Sequence, residues 1–185
     1  DEHDEHSKHD EHEEDKKDEN HEHGGLDPHI WLDPILVKVQ VKNIYETLVQ
    51  IDKENKSFYK MNYDKFIKEL DALHIELKTI LKPYKHKAFM VFHPSWGYFA
   101  SSYDLEQIAI EVQGKEPKPS QLVDLISEAK KHDIKIVFVA PQFSKKGANT
   151  ISQTIKGNVA TIDPLSFQWK ENLLKTAKEI AKSYK

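Results

Sequence analysis

Residues 87–100 read KAFMVFHPSWGYFA, and this stretch decides the fold. The apolar run at 88–92 is too short for a buried helix and has the length of a strand, so it predicts a buried β-strand. Pro94 lacks the backbone N–H that a β-ladder needs and therefore ends the strand just after His93. Ser95 is the predicted N-cap of a short helix. His93 is thus expected at the carboxyl end of a strand, where open α/β sheets bind their ligands.

Strands and helices are predicted to alternate along the rest of the chain. Short apolar runs predict strands at 105–112, 134–140 and 158–162, and apolar residues at helical spacing predict helices at 120–132, 145–156 and 167–184. Ser120 is the predicted N-cap of the first of these helices. The alternation indicates an α/β fold with a mostly parallel sheet, right-handed crossovers and flanking helices. The nearly unbroken apolar run at 134–140 predicts a central strand of that sheet.

Two Asp-Pro pairs bracket a second histidine, His29, in the segment DPHIWLDP at 27–34. Each proline fixes its own φ and restricts the residue before it, so His29 is expected in a stiff loop. Asp33 is the predicted N-cap of a helix at 34–51, with Pro34 as its first residue. A longer helix is predicted at 58–81. Its continuous apolar stripe fits either a helix packed on a sheet or a rod shared by two lobes.

Composition limits the chemistry that the chain can perform. The 185 residues carry a net charge of −4, every one of the 27 basic residues counted is lysine, and there is no cysteine. Disulfides and thiolate metal sites are therefore excluded, and a transition metal would have to be bound by histidine and carboxylate groups. The acidic balance argues against nucleic-acid binding. No apolar run reaches the length of a transmembrane helix.

Residues 1–25 form a tract of acidic residues, lysine and histidine that is predicted to be disordered, since its composition cannot bury an apolar core. Two interpretations remain open, a solvated acidic spacer and a collector that binds metal weakly at several sites. The histidines that would provide this auxiliary binding are His3, His6, His9, His12, His21 and His23.

A third candidate ligand, Asp163, occupies the same kind of position relative to its strand as His93 does. Asp163 also directly follows a predicted strand and directly precedes a proline. Loops at the carboxyl ends of neighbouring parallel strands lie close together, so His93 and Asp163 are expected to face one cleft. We expect the stiff loop that carries His29 to reach the same cleft. Elsewhere His74, beside the apolar stripe, and His132, at a helix end, are predicted to be structural.

The chain contains, in order, the motif DPHIWLDP, a predicted long helix, a predicted strand followed by HPSWGYF, and a predicted strand followed by DPL. This order resembles the zinc/manganese class of solute-binding proteins of ABC importers. An acidic, histidine-rich loop directly before the first motif is typical of its zinc-uptake members. The resemblance implies two α/β lobes joined by a long helix, with the metal in the cleft between them. It implies that His29 and His93 are metal ligands and that Asp163 is the acidic ligand or lies next to the ligands. In such a site we expect Trp31 and Trp96 to shield the cleft. A histidine at 93, where manganese members carry glutamate, favours Zn²⁺.

The resemblance further implies a domain division and a role. Residues 1–25 would be the acidic loop, 26–57 the remainder of an N-terminal lobe, 58–82 the interlobe helix and 83–185 the C-terminal lobe. The chain is therefore expected to be a fragment that lacks one further histidine ligand. The expected role is capture of Zn²⁺ and delivery to an ABC permease, in the periplasm or on the outer face of the cell as a lipoprotein. We expect a monomer able to associate with its missing N-terminal fragment, touching the membrane only through the transporter or a lipid anchor.

Three alternatives stay open at this stage. The protein could carry manganese or another divalent metal, or it could be a surface adhesin of the same class. It could also be a zinc hydrolase, because two histidines, one aspartate and a water resemble a catalytic zinc shell. That activity needs a general base, for which Glu111 is the nearest candidate in sequence. No catalytic motif accompanies it, so a non-enzymatic binding protein is the favoured prediction.

Overall fold

The structure is a computed structural model that describes residues 26–112 and 114–185. Its helices are α1 (Pro34–Ile51), α2 (Lys56–Leu81), α3 (Gly97–Ser102), α4 (Pro119–Lys131), α5 (Lys146–Thr154) and α6 (Trp169–Lys182). Its strands are β1 (Ala88–Val91), β2 (Glu106–Ala109), β3 (Ile136–Val139) and β4 (Asn158–Thr161). Short 3-10 turns occupy Ile30–Leu32 and Lys82–Tyr84. Within the described residues, we find no helix with the combination of length and apolarity that crossing a bilayer requires.

The four strands form one parallel sheet in the order β2-β1-β3-β4. The two central strands have the sequences AFMV and IVFV and are almost completely buried, whereas the edge strands EQIA and NVAT are only partly buried. This is the distribution expected for a parallel sheet covered by helices on both faces. The predicted α/β class, the parallel sheet and the central position of the 134–140 run are confirmed.

Alternating side chains of the central strands enter two separate apolar cores, one on each face of the sheet. Phe89 and Phe138 point into the core that is closed by α2, α3 and α6. Met90 and Val137 point into the core that is closed by α4 and α5. Because every residue of the two central strands packs into one core or the other, these strands are held on both faces and the loops at their carboxyl ends start from fixed points.

Helix α2 is packed unevenly along its length. Its C-terminal half buries Leu70, Leu73, Leu77 and Leu81 in the first core, while residues 56–69 carry no buried side chain. Helix α1 packs along α2, with the rings of Tyr45 and Tyr63 stacked 4.8 Å apart. The apolar stripe predicted for α2 therefore meets the α/β core over half of the helix.

Two predicted helix caps are wrong. Ser95 is 1% exposed, and its hydroxyl has no hydrogen-bond partner; Trp96 must first enter the core, so α3 begins only at Gly97. Ser120 lies inside α4, which begins at Pro119, and the backbone N–H of the preceding lysine donates to the Gln121 side chain at 2.8 Å. The Asp33 cap is confirmed, because its Oδ1 accepts from Ile35 N at 2.9 Å.

Candidate metal centre

His93 lies just beyond the end of β1, next to a buried carboxylate. Its Nδ1 is 2.5 Å from Oε2 of Glu111, whose side chain is only 9% exposed. The parallel register pairs Val91 with Ala109, so Glu111 comes level with His93 two residues further along both strands. A carboxylate accepts the proton of the ring nitrogen that faces it, which fixes the tautomer and leaves Nε2 to act as a metal ligand.

His29 has the same arrangement in the Asp-Pro loop. Its Nδ1 is 2.6 Å from Oδ1 of Asp27, and the same oxygen accepts from the His29 backbone N–H at 2.9 Å. The Asp27 side chain is 33% exposed and the His29 side chain 15%. The aspartate that begins the DPH motif therefore orients the histidine two residues later and again leaves Nε2 for a ligand.

The two rings are close together, with their centroids 5.5 Å apart and their planes at 76°. Two imidazoles that share one tetrahedral zinc ion, at about 2.0–2.1 Å from each nitrogen, have ring centres roughly 5 Å apart. The stiff loop and the end of β1 thus bring two imidazole rings to a separation that one metal ion can span.

Aromatic side chains cover both histidines. The ring of Phe143, in the loop between β3 and α5, stacks on His93 with a centroid distance of 4.8 Å and an interplanar angle of 18°. Trp31 lies 5.3 Å from His29 and is part-buried, as expected of a shield. Trp96 does not shield the cleft: it is 2% exposed and belongs to the first core.

Asp163 stands apart from the histidine pair. It follows β4 as predicted, and its Oδ1 accepts from Gln142 Nε2 and from Leu165 N, both at 3.0 Å. Within residues 26–112 and 114–185, no three side chains of the His, Cys, Asp or Glu types gather closely enough to hold a metal ion. The structure therefore brings His29 and His93 together and leaves Asp163 as a prediction.

A tryptophan pair joins the loop of Asp163 to the loop of His29. Trp31 Nε1 donates to the carbonyl of Pro164 at 2.8 Å, and Trp169 Nε1 donates to the carbonyl of Trp31 at 2.8 Å. These bonds span more than 130 residues of sequence and hold the two loops beside each other.

The other histidines that the structure describes lie elsewhere. His74 Nδ1 is 3.2 Å from the hydroxyl of Tyr103, and burial lowers the pKa of His74. His86 is exposed in a turn with a φ of 62°, and His132 faces Glu128 at the end of α4. The six histidines of the acidic tract, and the disorder predicted for that tract, lie outside the described residues.

Sequence reasoning missed Glu111 as a partner of His93 and considered it only as a base for a hydrolase. Phe143 was also missed. The signal for Glu111 was a carboxylate near the carboxyl end of the strand predicted at 105–112, the next strand along the chain after β1. No comparable signal marks Phe143, which lies beyond the end of β3 and reaches His93 through a tertiary contact beside Phe92.

Comparisons with known proteins agree with the fold. A family model described as "Zinc-uptake complex component A periplasmic" matches residues 1–183. The high-affinity zinc uptake system protein ZnuA of Bacillus subtilis (strain 168) is 34% identical over 148 residues, which are 79% of this chain and 46% of that protein. A putative metal-binding protein of Treponema pallidum is 30% identical over 138 residues, 74% of this chain and 44% of the relative.

Solved structures show the same relationship. A crystal structure of ZnuA superposes with a TM-score of 0.84 at 43% identity, covering 86% of this chain and 63% of that one. The laminin-binding protein Lmb of Streptococcus agalactiae superposes with a TM-score of 0.79 at 27% identity, covering 86% and 65%. The chain spans about half the length of the curated relatives it matches. The predicted resemblance is confirmed, and the chain belongs to the ZnuA family of periplasmic zinc-uptake components.

Proposed function

We propose that this chain is the zinc-binding part of an ABC import system and holds Zn²⁺, its cargo, through Nε2 of His29 and of His93. The observation that carries this proposal is the pair of rings 5.5 Å apart, each with its Nδ1 against a carboxylate. Imidazole ligands suit Zn²⁺ better than Mn²⁺, which prefers oxygen ligands. Zinc is therefore the favoured cargo, and manganese or another divalent metal is the alternative.

Two histidines leave two positions of a tetrahedral zinc ion to be filled. We propose Asp163 for one of them, since its loop is tied to the His29 loop through Trp31. This requires the carboxylate to turn away from Gln142 when metal enters. The remaining position would be taken by water, by the further histidine ligand that the family resemblance implies, or by the tract that contains His3, His6, His9, His12, His21 and His23, which we propose as an auxiliary weak-binding segment.

The wider role is proposed from the relatives. ZnuA proteins are named as parts of high-affinity zinc uptake systems. We infer delivery of zinc to an ABC permease, a periplasmic or lipid-anchored extracellular location, and a monomeric, non-enzymatic protein. The domain division proposed is 1–25 for the acidic loop, 26–57 for the rest of an N-terminal lobe, 58–82 for the interlobe helix and 83–185 for the C-terminal lobe.

Surface attachment is a second candidate function. The Lmb structure is described as that of a bifunctional protein with adhesin and metal-transporting activity, and its fold superposes well on this chain. A hydrolase is disfavoured because Glu111, the proposed base, is hydrogen-bonded to His93. Adhesion and zinc carriage are compatible, so binding to laminin would add a role and leave the zinc site unchanged.

Calorimetric titration with zinc tests the site. His29→Ala and His93→Ala should each weaken zinc binding by at least about 100-fold, because only two of the three proposed protein ligands would remain to hold the ion. Asp163→Ala should weaken it less if water takes its place. His132→Ala, which removes an imidazole at the end of α4, is the matched control and should bind like the unmodified protein. Unchanged affinity in both His29→Ala and His93→Ala would refute the proposal.

A further inference from the structure

The two loops that carry the histidines meet at the first turn of α3. Gly97 is the first residue of this helix and lies four residues after His93. A Cβ placed on Gly97 would lie 2.9 Å from Oδ2 of Asp27, closer than real Cβ atoms approach other atoms. The Tyr98 hydroxyl donates to the backbone carbonyl of Asp27 at 3.2 Å. The aspartate that orients His29 therefore rests directly on the backbone of α3.

The backbone of Gly97 does not itself demand glycine. The glycine with a positive φ in the described residues is Gly114, so Gly97 has a conformation that any residue can adopt. Glycine is also less favourable than alanine within helices, so helix propensity gives no reason for glycine in α3. What glycine provides at this position is the space into which the Asp27 carboxylate fits.

We propose that Gly97 is a positioning residue of the histidine pair: by lacking a side chain, it admits the carboxylate that orients His29 toward His93. The inference rests on the proposed zinc site and adds a determinant of its affinity. A methyl group at Gly97 meets the far end of a short side chain, which can swing aside. The fold then survives the substitution, while the carboxylate loses its place against Nδ1 of His29.

The first test is Gly97→Ala in the intact protein, with Ser101→Ala as the matched control on the exposed side of the same helix. Zinc affinity of Gly97→Ala should fall about tenfold, which is within the usual effect of disturbing a partner of a metal-bound histidine. The melting temperature of the zinc-free protein should stay the same or rise. Equal affinity of Gly97→Ala, Ser101→Ala and the unmodified protein would overturn the inference.

A double-mutant cycle tests whether Gly97 acts through Asp27. If it does, Gly97→Ala combined with Asp27→Ala should bind zinc no more weakly than Asp27→Ala alone, because the carboxylate is already gone. Additive losses would overturn the inference, since they would mean that the methyl group damages the site by another route.

A measurement without metal separates this inference from the zinc proposal. Nitrogen-15 NMR of the zinc-free protein reports the tautomer of His29, which should be protonated on Nδ1 in the unmodified protein and redistributed in Gly97→Ala. A tautomer that is the same in both proteins overturns the positioning role. A redistributed tautomer in a protein that fails to bind zinc supports the positioning role and refutes the proposed function.

Discussion

The two histidines of the candidate centre are oriented in the same way by partners of different origin. Asp27 is two residues from His29, is one-third exposed, and belongs to the same loop. Glu111 is 18 residues from His93, is 9% exposed, and lies beyond the end of a neighbouring strand. The carboxylate that orients His29 is therefore close in sequence and accessible to water. The carboxylate that orients His93 is placed by the register of the sheet and is largely shielded from water.

This difference predicts an unequal response to substitution. The Glu111 carboxylate is 9% exposed and that of Asp27 33%, so water can replace Glu111 as the acceptor of the imidazole proton less readily than it can replace Asp27. The exposed loop can admit a water molecule in place of its carboxylate. The His93 half of the centre should therefore depend more strongly on its partner than the His29 half does.

Among the residues that orient the two histidines, the largest effect is expected from Glu111→Ala. Loss of the acceptor frees the His93 ring to rotate and to change tautomer, which should weaken zinc binding by about 10- to 100-fold in calorimetric titrations. Glu111→Gln retains an oxygen that can accept from Nδ1 and should recover part of the loss. Glu106→Ala, on the exposed first position of β2, is the matched control. Full affinity of Glu111→Ala would remove the distinction between the two histidines.

The same distinction explains what could be predicted from sequence. The apolar run of β1, the proline after His93 and the Asp33 cap are local signals, and each predicted its structure correctly. The pairing of Glu111 with His93 follows from the β1–β2 register, which no local pattern specifies. The Phe143 stack and the bond from Trp31 to Pro164 depend on how distant loops meet. The predicted N-cap role of Ser95 was wrong because burial of Trp96 outweighed the local capping preference of serine.

A smaller loss is expected from Asp27→Ala. The loop keeps its prolines and its 3-10 turn, so His29 stays near His93 and loses only the acceptor of its Nδ1 proton. Zinc affinity should fall about tenfold or less. Asp124→Ala, on the exposed surface of α4, controls for removal of one carboxylate from the protein. A loss greater than that of Glu111→Ala would reverse the proposed order of the two halves.

Phe143→Ala should have a few-fold effect. Stacking of an aromatic ring on His93 restricts the imidazole and excludes water, and such pairs contribute about 0.5–1.5 kcal/mol beyond the area they bury. Zinc affinity measured by competition with a chelator should fall roughly threefold if half of that contribution is lost. Phe167→Ala removes a fully exposed ring and should change nothing. An unchanged zinc affinity in Phe143→Ala would show that the ring stack does not help to position His93 and would leave that role to Glu111.

The smallest effect concerns His74, a histidine whose Nδ1 faces a hydroxyl in place of a carboxylate. Burial lowers its pKa below the ordinary value of 6.5, so the unfolded chain takes up a proton before the folded protein does as the pH falls. Folding stability should therefore be constant for this group above pH 6.5 and decrease below it. Melting temperatures of His74→Gln, followed from pH 7.5 to 5 without zinc, should fall less steeply than those of the unmodified protein. His132→Gln is the matched control, and zinc affinity at pH 7.5 should be the same in all three proteins. An equal slope in His74→Gln would show that the hydroxyl of Tyr103 compensates for the burial of His74. A loss of zinc affinity in His74→Gln would mean that His74 contributes to the metal centre in addition to His29 and His93.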